Sequence, residues 1–289
     1  MKSPAPTLLS TKVNPSTKEW LPVSLDTFLT ELDALKHAAK DAGSLLLFRG
    51  QCRREWRLDS TFARSVKSLL FGIKPGEGYS ERLRNSKDLN AVLSSLLLLK
   101  FGTLLEPSAE LKSVEAQHGV DAWFELMKRY QQYPEEDAPS LPGTNFLDWS
   151  QSSDVGLFFA NDGRDGQGAL FVCDATATGK TLQTLPVIQV LHKIREQLMQ
   201  GLANGSPLLF SPARQIANQR AKNQEAVYFA QLELRMDMLE LWRMQEDKKG
   251  NDTIVVKLVL PACSETDLTR YLSKKGIDRT FIYPESRNA

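Results

Sequence analysis

The sequence predicts an α+β fold, built as a single elaborated domain. Three observations carry this. Runs at helical spacing and short apolar runs of strand type are mixed along the chain, without the regular strand–helix–strand rhythm of a doubly wound sheet. The 289 residues are long for one domain and short for two. At 42% hydrophobic and 25% charged, the chain can bury a sizeable core without disulfide staples.

The elements follow in order. Residues 1–22 are rich in Pro, Ser and Thr and read as an arm. Residues 24–42 place apolar side chains at helical spacing, with Ser24 and Asp26 as caps. SLLLFRGQ (44–51) is a short apolar run after Gly43 and reads as a buried strand. WRLDSTFARS follows as a loop entering a short helix. Helical stretches are expected at about 80–104 and 108–133. Three prolines and a glycine make 133–144 a loop. FLDWS (146–150) leads into a short helix over 152–161, capped by Ser152 or Ser153. A three-glycine turn precedes the strand ALFVCDA (169–175). Further on lie a helix at 189–203, a strand at 253–261, and a helix at 264–276 with a Ser cap and a Gly stop. A last short strand is expected at 279–284. Residues 226–245 are ambiguous. Leu232, Leu234, Met236 and Met238 alternate as in a strand, whereas Met238, Leu241, Trp242 and Gln245 suit a helix.

Charge and cysteine usage bound the function. Thirty-six Lys and Arg oppose 35 Asp and Glu, so the chain is no basic nucleic-acid coat, although a local basic groove stays open. Cys52, Cys173 and Cys263 are scattered and odd in number, which suits a reducing cytosol. With three histidines and three cysteines, a metal site of soft ligands is not expected. The start of the chain lacks the basic and apolar regions of a signal peptide. The most apolar run, 91–105, is too short and too interrupted to span a bilayer. A cytoplasmic protein without membrane contact is therefore the expectation.

Common catalytic signatures are missing. GxGxxG, GxxxxGK[ST], HExxH and GxSxG do not occur. Three constellations remain. Arg49 closes an apolar strand, where a guanidinium needs an anion, either in a structural ion pair or on a bound carboxylate or phosphate. Asp148, Trp149, Ser150, Ser152, Ser153 and Asp154 gather before an apolar helix, as simple caps or as donors to phosphate and ribose oxygens. Gln219, Gln224 and Glu225 lie in a polar run before the apolar residues 226–229, as a solvated loop or as a group at a strand entrance. His118 in VEAQHGV is a helix-end residue or a catalytic acid or base.

Taken in series, these segments resemble the FRG domain family, named for its Phe-Arg-Gly motif. That motif is Phe48-Arg49-Gly50 here, followed by Gln51. Trp56, Leu58, Ser60 and Arg64 match the next motif; Gln117-His118-Gly119 and Leu147-Asp148-Trp149 match the later ones. Gln224 stands before Val227-Tyr228-Phe229, and the ending resembles residues 255–284. The resemblance runs from about residue 44 to 285. Residues 120–141 intervene where the family runs almost directly from Gln-His-Gly to Leu-Asp-Trp. A weaker similarity links the chain to arginine-type (R-S-E) ADP-ribosyltransferases. Phe48-Arg49-Gly50 corresponds to their first strand, Asp148-Trp149-Ser150 to their Ser-Thr-Ser strand, and Gln224 or Glu225 to their late catalytic residue.

The resemblance implies residues 1–43 as an arm and helix. It implies 44–289 as an ADP-ribosyltransferase-like domain with a split sheet and a helical insertion at about 80–143. It implies NAD as co-substrate, bound by Arg49, Gly50, Asp148, Trp149 and Ser150, with Gln224, Glu225 and His118 as catalytic candidates. The acceptor would be a macromolecule, RNA or DNA ahead of protein. Arg53, Arg54, Arg57, Arg64 and Lys67 would form a basic edge, with Trp56 available for stacking. The setting implied is a bacterial toxin–antitoxin or phage-defence module with a neutralising antitoxin partner. A non-enzymatic nucleotide- or phosphate-binding module and an NAD glycohydrolase are the alternatives.

Overall fold

The computed structural model describes residues 13–14, 16–86, 89–90, 142–177, 184–185, 208–212, 219–231, 233–249 and 253–284. Six strands of five or six residues form one sheet. They are β2 (Leu46–Gln51), β3 (Phe146–Ser150), β4 (Ala169–Asp174), β6 (Leu208–Pro212), β7 (Ala226–Ala230) and β8 (Val255–Val259). Two-residue strands, β1 (Glu19–Trp20) and β5 (Thr184–Leu185), edge the sheet, in the order β1-β8-β4-β2-β3-β7-β6-β5. The six longer strands are antiparallel to their neighbours, and only the two edge pairings are parallel. The fold is α+β, as the sequence predicts.

The pairing is uneven. β2 pairs with β4 from Leu46↔Asp174 to Gln51↔Ala169, and β3 pairs with β7 from Phe146↔Ala230 to Ser150↔Ala226. Between β2 and β3 a single pair forms, Phe48↔Ser150. That register would bring Gly50 opposite Asp148, but the strands have already parted there.

Both faces of the sheet are covered. On one face Phe48, Leu170, Val172, Val256 and Leu258 pack under helices α1 (Leu25–Asp41), α4 (Ser153–Asn161), α7 (Glu265–Lys274) and α8 (Arg279–Ile282). On the other, Leu47, Trp149, Phe171, Val227 and Phe229 pack with Met238, Leu241 and Trp242 of α6 (Met238–Lys249). Helices α2 (Thr61–Phe71) and α3 (Glu81–Arg84) share a smaller core of Phe62, Val66, Leu83 and Leu234. The short α5 (Gln219–Asn223) leads into β7. Capping is local and legible. Ser24, Ser60, Ser152 and Asp278 each accept a hydrogen bond from a first-turn N–H of the helix they start.

Some expectations change. Residues 279–282 form helix α8 rather than a strand, because Asp278 Oδ1 accepts from Phe281 N at 2.8 Å and starts a helical turn. Ser264 stands at the start of α7, but its hydroxyl donates to Pro261 O at 2.7 Å and makes no side-chain cap. The ambiguous 226–245 divides into β7 and α6. α1 buries Phe28, Leu32 and Ala39 in the same core as Leu46 and Phe48 of β2, and β1 lies beside β8. Of the expected helical stretches, α3 and residues 89–90 are described. Residues 87–88 and 91–133 (which include the apolar run at 91–105), the helix at 189–203 and most of the loop at 133–144 lie outside the described residues.

Glycine sets how closely α4 sits on β2. A Cβ on Gly50 would lie 2.0 Å from Gly156 O and 2.3 Å from Ala160 N. On Gly156 it would lie 2.7 Å from Leu170 Cδ1. The Gly of the Phe-Arg-Gly motif is thus a packing residue that lets a helix touch a strand backbone. Gly50→Ala should cost about 3 kcal/mol or more in denaturant unfolding. Gly43→Ala, at φ +68° with open space around it, should cost only about 1–2 kcal/mol.

Candidate functional site

Where β2 and β3 part, a cleft of about 220 Å³ opens. Its lining includes Arg49 and Gly50 from β2, Asp148 and Ser150 from β3, Val155, Gly156 and Phe159 from α4, Arg220 from α5, and Gln224. The strands that carry Arg49 and Ser150, and the strand that follows Gln224, are neighbours in the order β2-β3-β7. Residues about 100 and 75 positions apart in sequence therefore meet in one cleft.

Arg49 fills the gap in the ladder. Its Nη1 donates to Asp148 O, a backbone acceptor freed by the parting of the strands. Its Nε is buried and has no hydrogen-bond partner among the described residues, and none of their carboxylates lies within ion-pair distance. Burial lowers the guanidinium pKa to about 10; the nearby Asp148 carboxylate opposes that and the Arg64 guanidinium adds to it. Arg49 thus remains a cation at neutral pH, with its charge not spent on an ion pair.

Ser150 has a different role from a free hydroxyl. Its Oγ donates to Gln224 O at 2.7 Å and accepts from Ser152 N at 2.9 Å. It ties β3 to the entrance of β7 and to the start of α4. Gln224 is buried, and its Nε2 donates to Ile282 O at 3.2 Å. That bond orients the amide and leaves Oε1 without a donor among the described residues. Asn223 Nδ2 similarly donates to Phe281 O at 2.6 Å, so α8 holds the late Gln in place.

Glu225 does not join the cleft. It is exposed, in a left-handed conformation at φ +45°, and its backbone O accepts from Gln151 N at 3.1 Å. The turn that places Gln224 inward sends Glu225 outward. Among the described lining residues Asp148 is the one carboxylate. Trp149 also lines the cleft, but its indole is buried in the core, edge-on to Phe229 and Trp242 at 5.7 Å each. Alternation along β3 explains this, since Leu147 and Trp149 face the α6 side. His118 lies outside the described residues.

The basic edge does not form as expected. Arg54 Nη2 pairs with Glu19 at 2.8 Å. Arg57 pairs with Asp237 at 3.2 Å and Glu240 at 3.0 Å. Lys67 is buried, donating to both oxygens of Asp59 at 2.8 and 2.9 Å. Arg64 Nη1 donates to Asp59 O at 2.7 Å. Arg53 stays exposed beside Glu55 and Asp165, each at 3.9 Å. Trp56 is half-buried against a cavity of about 20 Å³ shared with Arg57, Arg64, Lys67 and Tyr79. These side chains build a buried polar knot in which Asp59 also accepts from Tyr79 Oη and from Gln231 Nε2 at 2.8 Å. Burial is the largest influence on Lys67 and lowers its pKa, with Asp59 opposing. The Trp-x-Leu-x-Ser and Arg motif is thus largely structural.

Sequence reasoning missed Arg220. It sits in a polar run with no local signal, and its significance comes from the distant Tyr283, whose ring its guanidinium covers at 4.6 Å.

No protein-family model matches the chain, and no curated protein or solved structure matches it.

Two outcomes check these assignments. Ser150→Ala removes a buried hydroxyl with two partners and should cost about 1–3 kcal/mol in denaturant unfolding. A loss near zero would mean that Ser150 does not tie the three segments together. Asp59→Asn leaves the buried Lys67 ammonium without its carboxylate and should lower stability by about 3–5 kcal/mol, read as a fall in the urea midpoint.

Proposed function

We propose that the cleft binds NAD as a co-substrate and that the protein transfers ADP-ribose to a macromolecular acceptor. The observation that carries this reading is the meeting of Arg49, Ser150 and Gln224 in one cleft, where the sheet splits. The R-S-E resemblance requires these three sequence-distant positions to be neighbours. In this reading the sheet has the ADP-ribosyltransferase-like split core, with the arginine strand and the serine strand flanking the opening.

The chemistry assigns each residue a task. Arg49, held by a carbonyl rather than a carboxylate, offers its planar fork to the pyrophosphate. The bond from ribose C1 to nicotinamide nitrogen breaks, and its electron pair leaves with nicotinamide. The acceptor's nucleophilic atom forms the new bond to C1 and loses its proton to solvent. Positive charge on the ribosyl group peaks between these events. The Asp148 carboxylate and the negative end of the Gln224 amide dipole stabilise it there. Ser150 positions β3 and Gln224 and is not itself a ligand group.

The preference for a nucleic-acid acceptor loses its basis, since Arg54 and Arg57 are paired internally and Lys67 is buried. The acceptor is therefore proposed only as a macromolecule. A toxin held in check by a neutralising protein remains the setting that the FRG resemblance implies. One observation favours a second reading, a nucleotide-binding module without turnover: the late position in the cleft is an amide, and the adjacent Glu225 is exposed outside it.

Nicotinamide release from NAD, with and without added cell protein, RNA or DNA, separates the two. The transferase reading expects acceptor-dependent release, lowered about a hundredfold or more by Arg49→Ala and by Asp148→Asn. Saturable NAD binding without release under any condition would establish the binding module instead.

A further inference from the structure

We infer that Arg220 is a second phosphate-binding cation, so that the cleft selects ligands carrying two linked phosphates over those carrying one. This deepens, and rests on, the reading of the cleft as a nucleotide site. Two guanidinium groups line the same cleft, Arg49 from β2 and Arg220 from α5. Each has a buried Nε without a hydrogen-bond partner among the described residues. Neither has a carboxylate of the described residues within ion-pair distance, whereas Arg54, Arg57, Arg164, Arg235 and Arg279 each hold one.

How the two are anchored matters more than their number. Arg49 is held by a backbone carbonyl, and Arg220 by the face of Tyr283. Both anchors fix a guanidinium without cancelling its charge. A carbonyl carries only a partial charge, and a ring face only a quadrupole. Tyr283 is itself fixed, edge-on to Phe158 at 6.1 Å and to Phe159 at 6.4 Å. Asn223, three residues beyond Arg220, ties α5 to α8 through Phe281 O. The protein thus spends packing and hydrogen bonds on holding two like charges toward one cleft. Asp148 is the one lining carboxylate of the described residues, too little negative charge to compensate both. An anion with two charged centres satisfies the pair, and a pyrophosphate linkage supplies two with forks of matching geometry.

The test is calorimetric titration of the full chain with AMP, ADP and ADP-ribose. The expected result is that Arg220→Ala weakens ADP and ADP-ribose by about tenfold or more and leaves AMP within about twofold, since the deeper Arg49 takes a single phosphate. Arg220→Gln keeps the length of the side chain without its charge and should show the same selective loss; both variants should melt with the wild type. Equal losses for AMP and ADP, or no loss for either, would overturn the inference while leaving the nucleotide reading intact. Wild-type protein that binds neither ADP nor ADP-ribose would overturn both.

Discussion

The structure depends on one interrupted pairing. β2 and β3 share a single ladder pair, Phe48 with Ser150, and then separate. Two consequences follow at once. Backbone groups that a continuous sheet would satisfy need other partners, and a cleft opens between the strands. Arg49 answers the first by donating to Asp148 O, and in doing so places a cation at the second. The residue that completes the broken ladder is thereby also a cation lining the opening.

The split is held open from both sides. On β2, the absence of a side chain at Gly50 lets α4 rest directly on the strand, and Val155, Gly156 and Phe159 of that helix line the opening. On β3, the Ser150 hydroxyl joins the entrance of β7 to the first turn of α4. Below, Trp149 locks β3 onto α6 through Phe229 and Trp242. Behind, the knot around Asp59, Lys67 and Gln231 fixes the segment that leaves β2. None of these groups needs to touch a ligand. Together they hold the cleft in one shape.

Charge is distributed to match. Arg54, Arg57, Arg164 and Arg279 are each paired with a carboxylate far away along the chain. Arg49 and Arg220 are anchored by neutral groups instead. An ion pair holds a guanidinium in place and also neutralises it; a carbonyl or an aromatic face holds it and leaves the charge available.

Much of the fold was legible from the sequence. Helical spacing and serine caps mark α1 and α4, and apolar runs bounded by glycine or turn residues mark β2, β4 and β8. These signals are local: a cap or a period is set by residues three or four positions apart. The Arg49, Asp148 and Gln224 positions were also readable, from an ordered motif series. What the sequence did not decide was where charges go and which way side chains point. The basic edge vanished because the partners of Arg54 and Arg57 lie at Glu19, Asp237 and Glu240, far along the chain. Residues 279–282 became a helix because the Asp278 cap outweighed the strand-like pattern of 279–284. Glu225 and Gln224 are adjacent, yet the backbone turn sends one to solvent and one into the cleft. Sequence determined the elements, because their causes are short-range. Tertiary structure decided which cations stay unpaired, because pairing depends on contacts that only the folded chain brings together.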